Sequence, residues 1–220
     1  MKRIICQLLT VVLLASLCLS SAQAAMNAQE LYEAGYDYFY GEDVEIDDDK
    51  AFRMWRRSAE LGYVDAQCSL GVMYLYGYSV EVDLEQSAKW FTYAAGQGSV
   101  RAQYYLGVMY QQGWGVEKDY ARAVELFTQA AEEGSMPGQY ALGAMHFYGL
   151  GTDQDYEKAF YLFQLAAEQN SADAKYYLGL MYDQGLYVPA DLAEALRWYQ
   201  AASAQGQDDA INRLKELKGQ

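Results

Sequence analysis

His146 is the only histidine of the 220-residue chain, and that fact narrows the possible chemistry at once. A zinc site needs several nitrogen or sulfur ligands, and there is no His-Glu-x-x-His and no cysteine pair to supply them. Neither Ser-x-x-Lys nor Gly-x-Ser-x-Gly occurs, so the usual serine acyl-transfer signatures are missing. Cys68 is the one cysteine beyond residue 24 and stands in a column otherwise made of tyrosines, which marks it as a buried packing thiol. The acidic run Glu42, Asp43, Glu45, Asp47, Asp48, Asp49 has alternating carboxylates that could attract calcium. It lacks glycine at the sixth loop position and glutamate at the twelfth, and reads as a solvated loop in which Asp47 or Asp48 caps a helix. Glycine-rich turns such as Gly113-Trp114-Gly115 and Gly149-Leu150-Gly151 suggest phosphate cradles, yet no strand precedes them and no lysine follows. The sequence therefore predicts no catalytic residue, no metal and no cofactor.

What would position any functional side chain is a strict 36-residue step. Leu70-Gly71 returns as Leu106-Gly107, Leu142-Gly143 and Leu178-Gly179. The same step links Asp47, Asp83, Asp119, Asp155 and Asp191, and also Trp55, Phe91, Phe127, Phe163 and Tyr199. A period of this size signals stacked units that each bury an apolar face on a neighbour. Within a unit, Ala102, Leu106, Met109, Tyr110 and Gly113 fall on the stripe of one amphipathic helix, and Ala123, Leu126, Phe127, Ala130 and Ala131 on that of a second.

The aspartate column should cap second helices, with capping boxes at Asp83/Gln86 and Asp191/Glu194. Gly62, Gly98, Gly134, Asn170 and Gly206 should end them in the left-handed conformation. Ser99, Ser135 and Ser171 should cap the next first helix, with Pro137 harmless in its opening turn. The glycine of each Leu-Gly pair lies inside a helix, which is tolerable where another helix approaches closely. The Ala-Ala pairs (Ala94-Ala95, Ala130-Ala131, Ala166-Ala167) are the expected counterpart of that approach. Repeats are expected at about 27–62, 63–98, 99–134, 135–170 and 171–206, with a capping helix at 208–218. That helix would hold Ile211, Leu214 and Leu217 on its apolar face and Arg213, Lys215 and Lys218 elsewhere.

Leu-Gly-x-Met-Tyr, Gly-x-Gly-Val, Asp-Tyr and Phe-x-x-Ala-Ala-Glu-x-Gly, recurring every 36 positions, resemble the Sel-one-like (Sel1-like) repeat family, a branch of the tetratricopeptide-like α-solenoids. The resemblance spans Asn27 to Gly206. It implies an all-α fold, a right-handed solenoid of about five antiparallel helix hairpins plus the C-terminal capping helix. It also implies adaptors or regulators that hold other proteins, with no shared catalytic residues. Cysteine-rich relatives, for which penicillin binding or hydrolysis has been suggested, carry two cysteines per unit that this chain lacks.

Lys2 and Arg3, an apolar stretch from Ile4 to about Leu19, and Ala22-Gln23-Ala24 read as a signal peptide, residues 1–24, cleaved before Ala25. The expectation is a single repeat domain over 25–220, monomeric, without a membrane span, and periplasmic or secreted. The formal charge is −14, and loss of Lys2 and Arg3 makes it two units more negative. Such a surface repels nucleic acid and anionic lipid, and favours basic partners.

In solenoids of this kind the first helices line the concave side. Positions opposite the Leu-Gly face then form the candidate partner-binding groove: Tyr32, Tyr36, Tyr104, Val108, Gln111, Tyr140, Phe147, Tyr176, Leu180 and Asp183. Tyrosine offers contact area at low entropic cost. The same tyrosines have a competing use, packing between neighbouring hairpins. Two alternatives remain open beside the adaptor: a cell-wall or β-lactam-acting enzyme, and a peptidoglycan or glycan binder.

Overall fold

A computed structural model describes residues 26–218. The signal-peptide reading, with its cleavage before Ala25, lies outside the described residues. These residues form eleven helices and no strand: α1 (Ala28–Tyr40), α2 (Asp48–Glu60), α3 (Val64–Tyr76), α4 (Leu84–Gly96), α5 (Val100–Gln112), α6 (Tyr120–Glu132), α7 (Met136–Tyr148), α8 (Tyr156–Glu168), α9 (Ala172–Gln184), α10 (Leu192–Ser203) and α11 (Asp208–Lys218). Consecutive helices pack as pairs, as in an α-solenoid. Contacts cluster into two compact units, with the boundary between Tyr93 and Ala94 inside α4. No described helix is long and apolar enough to cross a membrane.

Local chemistry explains where most of these helices start. Asp47, Asp119, Asp155 and Asp191 sit in extended conformation and accept from amides of the first turn of α2, α6, α8 and α10. Asp83 does the same for Gln86 in α4 at 2.9 Å. Each of these aspartates also donates its own N–H to a carbonyl nine residues back, at Tyr38, Tyr74, Tyr110, His146 and Tyr182, at 2.9–3.0 Å. One residue thus ends the turn and opens the next helix. Ser99, Ser135 and Ser171 cap α5, α7 and α9, and Pro137 stands in the first turn of α7. Asn170 takes φ 72° among glycines of the same column at 80–92°.

Two local expectations are corrected. The capping box expected at Asp191/Glu194 does not close, because the Glu194 carboxylate turns to Arg197 at 3.0 Å. The box that does close is Asn27 with Glu30 at the start of α1. The counterpart of the helical glycines is also different. A Cβ on Gly71, Gly107, Gly143 or Gly179 would stand 2.6–2.8 Å from the ring of Phe91, Phe127, Phe163 or Tyr199, and one on Gly35 would stand 2.5 Å from Trp55. Each glycine is therefore the socket for the aromatic wedge of its own hairpin. The wedge rings are fully buried, apart from a trace of Trp55. Burying one such side chain contributes about 1.5–3 kcal/mol. The small residues meet elsewhere: Ala130 stands 2.7 Å from where Gly138 would carry a Cβ, at the α6–α7 junction.

At the end of the second unit, Ala210, Leu214 and Leu217 of α11 cover Ala195, Tyr199 and Ala202. Arg213, off that apolar face, reaches Asp183 of α9 through Nε at 2.9 Å and Nη2 at 2.8 Å. The Tyr199 hydroxyl donates to the same carboxylate at 3.2 Å. The Asp183 side chain is 11% exposed and that of Arg213 34%. Arg213→Met should therefore cost about 1–2 kcal/mol, below the full penalty for stripping a buried ion, because water reaches the guanidinium. Urea denaturation of Arg213→Met, Asp183→Asn and the double variant checks this. Additive single effects would show that the pair contributes nothing.

Candidate functional site

Tyrosines of the first helices are half core and half surface, and one repeated geometry is responsible. The Tyr104 ring lies 6.1 Å from the Phe127 wedge, Tyr140 lies 6.1 Å from Phe163, and Tyr176 lies 5.8 Å from Tyr199. In the first unit Tyr32 lies 6.2 Å from Trp55, whose indole N–H donates to the Tyr32 carbonyl at 3.0 Å. Cys68 is buried in the corresponding place, as its column requires. The packing use of the column is thus real, and only the outer edges of these rings face solvent.

The remaining candidates separate by burial. Phe147 is 7% exposed and belongs to the core of the second unit, edge-on to Tyr156 and Tyr177 and tilted against Phe163, so it does not line a groove. Its place one turn after the Leu-Gly pair puts it under the next first helix rather than in front of it. Leu180 and Val108 are half-buried against the same unit's clusters. The Gln111 amide lies 3.6 Å from the Met145 sulfur. The Asp183 carboxylate is taken by Arg213 and Tyr199. Only Tyr36, at 37%, is openly exposed among the ten.

In the second unit Tyr140, Tyr148 and Tyr177 form a group in which the Tyr148 and Tyr177 hydroxyls are 2.9 Å apart. Burial, followed by the nearby Asp173 carboxylate, pushes the Tyr140 hydroxyl up to about 12. Burial and the bond to Tyr148 also raise Tyr177. These phenols stay protonated at neutral pH and serve as hydrogen-bonding groups, not as phenolate nucleophiles. His146 is half-buried with Nδ1 unpaired, and no hydrogen bond joins it to a serine or cysteine among the described residues. No group of three or more metal-ligating side chains occurs among the described residues.

The sequence did not single out one concavity of the second unit. A cavity of about 610 Å3 opens between the start of α5 and the α6–α7 turn, lined by Arg101, Tyr104, Tyr105, Met136, Pro137 and Gln169, among others. The Arg101 guanidinium lies over the Tyr105 ring, 5.9 Å from its centroid. The Gln169 amide holds the rim by donating to the Gly134 carbonyl at 3.0 Å and to Gln139 Oε1 at 2.8 Å. Apolar rings, one cation and fixed amides are what a peptide segment needs for contact area and orientation. The available signal was Tyr105 itself: its column holds Glu33, Ser69, Ala141 and Tyr177, so the stack does not demand an aromatic there.

Comparison with known proteins agrees with this architecture. The Sel1 repeat family model matches residues 31–63, 64–99, 100–135, 137–171 and 172–207. A Sel1 repeat protein from Oxalobacter formigenes is similar at 31% identity and a TM-score of 0.80, over 88% of this chain and 79% of that one. A Sel1 repeat protein from Klebsiella pneumoniae shares 20% identity at a TM-score of 0.58, over 90% of this chain and 96% of that one. Immunity protein PA5088 from Pseudomonas aeruginosa shares 21% at 0.56, over 84% of this chain and 72% of that one, which speaks to fold alone. Comparison with curated proteins finds no match. Proteins built from these repeats generally serve as protein-interaction scaffolds rather than catalysts. With five matched repeats covering most of its length, the chain belongs to the Sel1 repeat family.

Proposed function

We propose that this protein is an exported, non-enzymatic adaptor that holds a segment of a partner protein on the first-helix side of its repeats. The observation that carries this reading is the second unit's cavity, where Arg101, Tyr104, Tyr105, Met136 and Pro137 converge. Supporting it are membership in a scaffold family and the neutral, hydrogen-bonded state of Tyr140 and Tyr177. Export rests on the leader pattern of residues 1–24, and an amino terminus at Ala25 on protein recovered from the envelope is its direct check.

The binding side is tested with a photocrosslinking residue at Met136, compared with one at the exposed Gln129 of α6. Crosslinking in the native envelope should give a discrete protein adduct from position 136. Tyr105→Ala in the same chain should reduce that adduct about tenfold, the loss expected when one aromatic anchor of an interface is truncated. Equal labelling from Gln129, or an adduct insensitive to Tyr105, would remove the cavity from the function.

A further inference from the structure

The geometry points to a second docking surface, on the first unit, for an arginine-bearing segment of a partner protein. It uses residues different from those of the second unit's cavity and does not depend on that reading. Four exposed tyrosines form it: Tyr36 at 37%, Tyr40 at 54%, Tyr76 at 56% and Tyr78 at 41%. They are not scattered. The Tyr36 and Tyr40 centroids are 4.4 Å apart, Tyr40 lies 5.0 Å from Phe39, Phe39 lies 5.5 Å from Tyr78, and Tyr78 lies 5.9 Å from Tyr76. The Ser79 hydroxyl donates to Asp49 and ties the α3–α4 turn to the start of α2, so the rings come from two hairpins held together.

The stack does not require these rings. One and two repeats on, the position of Tyr40 and Tyr76 is Gln112, and in the last repeat it is Gln184. The adjoining Ile46 and Val82, beside Gly41 and Gly77, are 63% and 58% exposed, and their equivalents are Lys118 and Gln154. Tyr148 keeps the ring in the fourth repeat, so the position takes either residue, and a contiguous exposed aromatic surface that the repeat does not demand marks an interaction site.

Charge selects the occupant. Residues 26–49 carry nine carboxylates and no lysine or arginine. Glu42, Asp43 and Glu45 are exposed and outside every ion pair of the described residues. A cation is drawn to this rim and, once there, finds ring faces. The chain itself shows that its tyrosines accept cations: Lys50 lies over Tyr38 at 4.8 Å, Arg101 over Tyr105 at 5.9 Å and Lys118 over Tyr120 at 5.6 Å. Guanidinium is favoured over ammonium because it is planar, stacks on rings and is the more weakly hydrated of the two. A neutral or acidic segment gains only the ring contact and meets the carboxylate rim without compensation.

The test uses the purified protein and a fluorescein-labelled peptide of four Gly-Ser-Arg units, read by fluorescence anisotropy at low and at physiological salt. A peptide with citrulline for arginine, isosteric and uncharged, is the control. The protein variant is Tyr40→Gln with Tyr76→Gln, which installs the side chain that the third and fifth repeats already carry, with helicity followed by circular dichroism. The arginine peptide should bind saturably, the citrulline peptide at least tenfold more weakly, and the double variant roughly tenfold more weakly than the parent. Tyr105→Ala should leave this binding unchanged, which separates failure here from failure of the cavity. Equal affinity for the two peptides overturns the proposal. So does arginine binding that survives both glutamines, since that would be charge attraction with no part for the rings.

Discussion

Phe163→Ala should lower unfolding stability by about 3–5 kcal/mol, measured by urea denaturation followed through helical signal. Phe163 is fully buried, lies 4.8 Å from Tyr177 and 6.2 Å from Phe147, and fills the socket that Gly143 leaves open. Truncating it opens a cavity at the meeting point of α7, α8 and α9, where rigid rings collapse poorly. The glycine side of the contact gives the matching experiment. Alanine is normally better than glycine in a helix by about 1 kcal/mol. Here its Cβ would enter Phe163 at 2.8 Å, and Gly143→Ala should instead destabilise by about 1–3 kcal/mol. Adding Phe163→Leu to Gly143→Ala should recover part of that loss. A rise in melting temperature for Gly143→Ala alone would refute the socket.

Removing α11 by truncation after Gln207 should cost on the order of 4 kcal/mol, from the lost burial of Leu214 and Leu217. Ala195, Tyr199 and Ala202 would be uncovered, and Asp183 would keep only the Tyr199 hydroxyl. Hydrogen exchange should quicken through α9 and α10 while the α5–α6 hairpin changes little, since repeat units rely chiefly on their neighbours. Uniform loss of protection across all helices, or none, would show that the closing helix is not a local cap.

Much of this architecture was legible because the cues recur with a fixed step. Asp119, Gly113 and Ser135 each act within a turn of their own position, so reading one repeat reads them all. What the step conceals is which way a side chain leans. The spacing places Tyr104 and Tyr140 on a binding face, yet each packs against the wedge of its own hairpin, because a ring three residues before the glycine socket reaches around the helix to it. Phe147 looked equivalent to Gln111 and is core, since Tyr177 on the next helix is an aromatic large enough to close over it. Asp183 looked like a groove residue for the same reason. Its partner Arg213 lies 30 residues away, on the closing helix, where other repeats carry no cation. The exposed platform of Tyr40, Tyr76 and Tyr78 and the cavity at Tyr105 became visible only when burial separated the rings the stack consumes from those it leaves over.

The Asp183–Arg213 contact also limits how the array can grow. At the preceding junction the same two places are held by Phe147 and Tyr177, an oily seam 5.3 Å across. Copying an inner segment such as 99–134 would set Gln111 against a second Tyr105, neutral groups that need no counter-ion. Copying 171–206 would set the Asp183 carboxylate against a second Tyr177, with no cation to meet it. Lengthening by gene duplication is therefore open in the interior and closed at the last step, so the final hairpin and its cap must be inherited as one piece.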